Sequence, residues 1–158
     1  MAAKDRLEAV ADRLEIEELL NRYAWAIDSG DWDLLSRVFT EDAEADFSSV
    51  GEYVDADART AGRDAIVAWL RHALAPFPDV LHFLSNQQVE LRGDSARTLT
   101  YMHVLHLPMG GIYHGEAVRT PEGWRLRRLR LEERSFEEAA ERLRAHMQAV
   151  AGPTTGDD

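Results

Sequence analysis

No cysteine occurs in the 158 residues, which removes disulfides, thiolate nucleophiles and thiolate-bound zinc or iron–sulfur centres together. Positive charge is also scarce. Lys and Arg number 18 against 29 Asp and Glu, a formal net charge of −11. A chain so balanced is ill suited to neutralising a phosphate backbone. Its arginine stripe, between Arg125 and Arg134, carries no interleaved aromatic residues on which bases would stack. No apolar run approaches the ~20 residues of a membrane span, and the first residues are charged rather than signal-like. Nucleic acid and membrane are therefore not expected as partners, and a cytoplasmic location is the default. Gly-rich phosphate loops, the G-x-S-x-G elbow and the H-E-x-x-H motif are missing as well. Neither a metal nor a cofactor is expected.

What is present suits a folded domain, with 45% hydrophobic and 30% charged residues. One domain over residues 5–150 is expected, with 151–158 as a disordered tail. Helical periodicity runs from Asp5 to Ile27, where Ile16, Leu19, Leu20, Tyr23, Ala24 and Ile27 form one apolar stripe. Ser29-Gly30 stops it, and Asp31 reads as the N-cap of a short second helix carrying Trp32, Leu34, Leu35, Val38 and Phe39. Glu44 to Phe47 alternates like a strand, and the stretch from Ser48 to Thr60 reads as a loop. Gly62-Arg63-Asp64 opens a third helix, which Pro76 and Pro78 end.

Beyond the prolines the period becomes that of strands, over 82–91, 95–107, 111–119 and 124–131. In the last of these, Trp124 and Leu126 have one parity and Leu129 and Leu131 the other, so a bulge near Arg127-Arg128 is expected. Ser135 to Val150 reads as a further helix, with Ser135 as its cap and Glu138 three residues on. Three helices, a run of antiparallel strands and a last helix make an α+β domain with helices packed on one face of a sheet.

Three side chains stand out for chemistry. Asp28 lies on the flank of the first helix's apolar stripe, at a helix end whose dipole disfavours negative charge, so it needs a partner. His82 opens the first long strand, with Leu84, Asn86 and Gln88 on its parity. His103 shares a face with Leu99, Tyr101 and Leu105, which reads as buried or pocket-lining. Histidine titrates near neutrality and can both take and return a proton. His103 and His106 point to opposite faces of a strand, which argues against a shared metal. His114 could close a pocket.

The segment from Arg13 to Phe39 resembles the opening of SnoaL-like proteins, a helix followed by an aspartate and a Gly/Asp-Trp start to the second helix. The likeness continues through Gly62-Arg63-Asp64, His82-Phe83, the Gly93-Asp94 hairpin and Pro121-Glu122-Gly123-Trp124. The resemblance implies the nuclear-transport-factor-2-like cone, a curved sheet with three N-terminal helices on its concave face. Within that superfamily the chain is similar to the scytalone dehydratase and lindane dehydrochlorinase branch. That branch implies a cofactor-free Asp–His pair acting on a small cyclic substrate, with Asp28, His82 and His103 on the catalytic positions. Tyr23, Phe47, Tyr53 and Tyr101 would contact the substrate. Two tyrosines of scytalone dehydratase are replaced here by Ile27 and Phe47. Arg128 and Arg130 lie in the strand that supplies the dehydrochlorinase's arginine.

The expected function is a dehydratase-like lyase on an apolar cyclic or aromatic compound. An isomerase or cyclase on a polyketide- or steroid-like ligand is the second reading, and a non-catalytic binding or assembly domain the third. A homodimer or homotrimer is implied by the resemblance.

Overall fold

A computed structural model describes residues 3–50, 58–105, 107, 109–134 and 136–151. In chain order the elements are α1 (Ala3–Ser29), α2 (Trp32–Ser36), β1 (Phe39–Asp46), a single 3-10 turn (Ser48–Val50), β2 (Arg59–Ala61) and α3 (Arg63–Leu74). There follow β3 (Leu81–Arg92), β4 (Ser95–Leu105), β5 (Gly110–Thr120), β6 (Gly123–Glu133) and α4 (Phe136–Ala151).

The six strands form one sheet in the order β2-β1-β6-β5-β4-β3. Among the described strands only the β1–β6 pair is parallel. That arrangement follows from the chain's path, since β3 to β6 pair in sequence order while β1 pairs with β6 only after α3 and β3 to β5 have intervened. Gly93, between β3 and β4, and Gly123, at the start of β6, have φ of +64° and +101°, a region that side chains with a Cβ rarely adopt.

Helices α1 to α3 cover the inner face of the sheet. Ile16, Leu19, Leu20, Tyr23 and Ile27 of α1 are buried against Val38, Phe39, Trp124, Leu126 and Leu129, in line with the stripe read from the sequence. Gly30 ends α1 with φ +66°, its N–H donating to Ile27 O at 3.0 Å. Asp31 then caps α2, its Oδ1 accepting from Leu34 N at 2.8 Å. The second helix is shorter than its apolar pattern suggests. Val38 and Phe39 are buried, but Phe39 already belongs to β1, because two consecutive core residues satisfy either period.

The pairing register shifts within β6 and within β3, as well as along β1. In β6, Arg128 pairs with Glu116 and Leu126 with Ala117, leaving Arg127 as the extra residue that reconciles the two parities. In β3, Ser85 pairs with Tyr101 and Gln88 with Leu99, so Asn86 and Gln87 together face one residue of β4. Asn86 takes φ +51°, which asparagine tolerates better than most. This second bulge corrects the single face drawn through His82, Leu84, Asn86 and Gln88. After it the inward positions are Val89 and Leu91, and Gln88 turns outward.

The far end of α1 is clasped to the sheet. Asp12 accepts from the Arg119 guanidinium at 2.7 Å and from Trp124 Nε1 at 3.2 Å, and the Arg119 guanidinium lies 4.7 Å from the centroid of the Trp124 ring. Burial would raise the Asp12 pKa, but these bonds outweigh it and hold the carboxyl below its ordinary value.

Helix α4 is present, with Leu143 and Met147 exposed, so those apolar positions are not part of the core. The capping serine at 135 and the tail from 152 lie outside the described residues, as does Tyr53. No helix among the described residues is long and apolar enough to cross a membrane.

Candidate functional site

The last turn of α1 delivers Asp28 to the start of β3. There its Oδ2 accepts the backbone N–H of His82 at 2.8 Å, and its Oδ1 meets His82 Nδ1 at 2.6 Å. One carboxylate thus grips both the main chain and the ring of the same residue, which fixes the imidazole's rotamer. With the carboxylate as acceptor, Nδ1 carries the proton and Nε2 keeps its lone pair. Nε2 has no partner among the described residues. The pair is well shielded, with side-chain exposures of 6% for His82 and 13% for Asp28.

His82 forms part of the wall of a cavity of about 220 Å³ between the helices and the inner face of the sheet. The other walls are mostly apolar: Ile27, Val50, Leu70, Met102, Val104 and Leu131 are among them. Phe47 and Trp69 stack face to face, 4.9 Å apart and 7° from parallel, to make one side. Tyr23 and Tyr113 contribute phenols, and among the described residues Glu133 is the one carboxylate in the lining. Tyr113 is raised to about pKa 12 and Tyr23 well above its ordinary value. Burial is the main cause for each, and the nearby negative charge of Asp28 pushes the same way. Both phenols therefore stay protonated at neutral pH.

Of the residues expected to act together, Asp28 and His82 meet, with Tyr23 and Phe47 around the same cavity. His103 and Tyr101 do not. The inward residues of β4 are Ala96, Thr98, Thr100, Met102 and Val104, whereas Leu99, Tyr101 and His103 face outward, Tyr101 half exposed at 50%. His103 sits beside Phe83 on that outer face, with ring centroids 6.4 Å apart. The expectation for these two residues differs from the structure because both faces of β4 mix apolar and polar residues. Its buried face carries threonines and its exposed face carries Leu99 and Tyr101. Arg128 and Arg130 are likewise on the outer face, paired with Glu44 and Glu116, and with Glu132.

A larger open trough of about 970 Å³ runs along that outer face, past His114, Glu116, Arg128 and Arg130. His114 does not close the inner cavity. It bonds Glu132 Oε2 through Nε2 at 2.8 Å. The trough is broad and its charges are largely paired with one another, so it lacks the enclosed apolar walls that hold a small molecule. No group of three or more His, Asp or Glu side chains able to hold a metal occurs among the described residues.

Sequence reasoning missed Tyr113 and Trp69. Tyr113 shares its parity on β5 with Gly111, Gly115 and Ala117. A lone aromatic among such small residues marks a face against which other elements press closely, and that signal was available.

The SnoaL-like domain family matches residues 8–130. The chain belongs to that family. An uncharacterized protein of Mycobacterium tuberculosis H37Rv, Rv2910c, is 37% identical over 137 residues, spanning 81% of this chain and 88% of the relative. The crystal structure of Kfla4162 from Kribbella flavida superposes with a TM-score of 0.69 at 29% identity, covering 79% of this chain and 92% of that one. A hexachlorocyclohexane dehydrochlorinase, LinA-type3 from Novosphingobium barchaimii LL02, shares the fold with a TM-score of 0.68 at 16% identity, over 81% and 90% of the two chains. Other neighbours carry the cystatin-like, NTF2-like fold by description. In SnoaL-like terms the present chain is a six-stranded member with its cavity between helices and sheet.

Proposed function

We propose that this SnoaL-like protein is a cofactor-independent enzyme that takes a proton from a small, mostly apolar cyclic compound, with His82 Nε2 as the base. The observation that carries this reading is the shielded Asp28–His82 pair, with His82 in the wall of a mostly apolar cavity. Asp28 fixes the tautomer and supports the imidazolium that forms when the proton arrives. Exclusion of water by Leu70, Val104 and their neighbours strengthens that interaction. A positioned base of this kind contributes roughly 10²–10⁴-fold to rate.

Loss of a β-hydroxyl after proton removal gives the dehydratase-like lyase. Return of the proton at another carbon gives the isomerase. The elimination reading is supported by the shared fold of an enzyme named as a dehydrochlorinase of a ring compound. Arg128 and Arg130, both paired on the outer face, give chloride departure no help here. The test is a panel of cyclic β-hydroxyketones followed by ultraviolet absorbance. Enone formation that Asp28→Asn and His82→Gln each suppress supports the lyase. Double-bond migration without loss of water moves the assignment to isomerase, and inertness of every compound that demonstrably binds returns the protein to the binding class.

Leu81, Phe83, Leu99 and Tyr101 form an exposed apolar patch on the outer face of β3 and β4. That patch supports the homodimer or homotrimer implied by the resemblance. Sedimentation of the wild type against Phe83→Ser tests it, a monomer in both cases counting against association.

A further inference from the structure

The inward face of β3 is not one that simple alternation produces. His82 and Leu84 face inward near the start of the strand, and Val89 and Leu91 pack on the core near its end. His82 and Leu91 are nine residues apart, yet their partners on β4, Val104 and Ala96, are eight apart. An odd separation shares one face only if the strand holds an extra residue. That residue lies between the pairs Ser85–Tyr101 and Gln88–Leu99, where Asn86 turns into the left-handed region at φ +51°. Among the described residues Asn86 is the one non-glycine residue with positive φ.

The same sequence in a regular strand would face differently. With Val89 and Leu91 kept on the core, strict alternation places Leu81, Phe83 and Ser85 inward and turns His82 to the outer face. Leu81 and Phe83 are 44% and 54% exposed as the strand stands, so the regular strand would bury more apolar side chain. Hydrophobic burial therefore opposes the bulge, and other interactions hold it. Asparagine enters the left-handed region more readily than most side chains. Gln87, the next residue, donates through Nε2 to Asn21 Oδ1 of α1 at 3.1 Å. Asp28, about two turns further along α1, accepts the backbone N–H of His82 and meets its ring. Backbone strain that persists against such a gradient clusters at functional sites.

We propose that Asn86 is a positioning residue, whose left-handed backbone turns His82 inward and so decides whether the Asp28–His82 pair forms. The inference rests on the reading of His82 as a base and adds what places it. Asn86 is not part of the cavity wall and acts only through the strand. The register that would hide the histidine would also bury Leu81 and Phe83. The inward base and the outer apolar patch are thus two results of one bulge.

The test reads the histidine itself by NMR of protein carrying isotope-labelled histidine. The Nδ1 proton of His82, held at the Asp28 carboxylate, should give a low-field resonance that His82→Gln removes. Asn86→Gly, free to adopt positive φ, should keep that resonance. Asn86→Val, whose branched side chain disfavours positive φ, should lose it. Deletion of Asn86 should keep it, because removal of the extra residue leaves a regular strand with His82 and Leu84 still inward. A residue needed only for stability would not let a deletion preserve what a substitution destroys. An unchanged resonance in Asn86→Val overturns the proposal. So does its loss in a folded deletion variant or in Asn86→Gly, and these two decide the matter where Asn86→Val fails to fold. Deuterium exchange into β-tetralone, a neutral two-ring ketone, separates this claim from the reading of His82 as a base. Exchange should follow the resonance, falling by roughly a hundredfold in Asn86→Val. A resonance that follows the series with no exchange in any variant keeps the positioning role and removes the base. Exchange in the wild type with a resonance indifferent to Asn86→Val does the reverse.

Discussion

Among the described residues, two histidine–carboxylate pairs of similar length lie on opposite faces of one sheet. Asp28 and His82 meet at 2.6 Å, and His114 and Glu132 at 2.8 Å. Their surroundings differ. The inner pair is 6% and 13% exposed and adjoins a mostly apolar cavity, whereas each member of the outer pair is 32% exposed beside a broad trough. Glu132 is also shared with Arg130 and Arg134, and its carboxyl is held below the ordinary value chiefly by His114. A pair in water gains little from its neighbour, while a pair that shares a dry volume with a substrate acts through a low dielectric. Pairing alone therefore does not define the site, and burial beside a cavity does.

The contrast is sharpest in ligand binding. Ala73 of α3 lines the inner cavity and Ala61 of β2 lines the outer trough. Ala73→Trp fills the inner volume and should weaken β-tetralone binding by roughly a hundredfold, whereas Ala61→Trp should leave it within about twofold. Calorimetry reads both. A loss of binding in the Ala61 variant alone would move the site to the other face.

Stability should show the same asymmetry. A Cβ on Gly111 would stand 2.3 Å from the backbone oxygen of Glu132, and one on Gly115 would stand 2.3 Å from the Thr98 side-chain oxygen. Gly111→Ala must shift backbone and should cost about 2–3 kcal/mol in chemical denaturation. Gly115→Ala, which can displace a hydroxyl, should cost less, about 1 kcal/mol. The exposed outward residue Arg97 should tolerate Ala within about 0.5 kcal/mol.

Two pH effects are smaller. Folding raises the Tyr113 pKa to about 12 from an unfolded value near 10. Its contribution to stability is complete below pH 10 and is lost as pH rises toward 12. Absorbance at 295 nm should show that phenol ionising late, a component absent in Tyr113→Phe. Asp12 runs the other way, its folded pKa being depressed by Arg119 and Trp124 against the effect of burial. Its stabilisation is present above the ordinary carboxyl range and is lost as pH falls through the lower folded value. Asp12→Asn should therefore flatten the stability profile below about pH 4. Urea midpoints measured across pH check it.

Much of this was legible in the sequence because period and punctuation agreed there. The α1 stripe, the Gly30 stop, the Asp31 cap and the conflict of parity at Arg127 each have a local cause. That Asp28 needs a partner was legible from its place at a helix C-terminus; that the partner is His82 was implied only by the family resemblance. The misreading of His103 and Tyr101 arose because β4 buries Thr98 and Thr100 and exposes Leu99 and Tyr101. Alternation alone does not choose between two faces that each carry both apolar and polar residues. The bulge at Asn86 was hidden for a different reason. It depends on register with β4, a long-range property, and its residues show only ordinary polarity.

The central claim is that the inner pair, and not the outer one, moves a proton. The direct measurement is deuterium incorporation at the α-carbons of β-tetralone in D₂O, followed by NMR for wild type, His82→Gln and His114→Gln. The account predicts exchange faster than buffer in wild type and in His114→Gln, with His82→Gln slower by roughly a hundredfold or more. Exchange that survives in His82→Gln, or that disappears in His114→Gln, would contradict it.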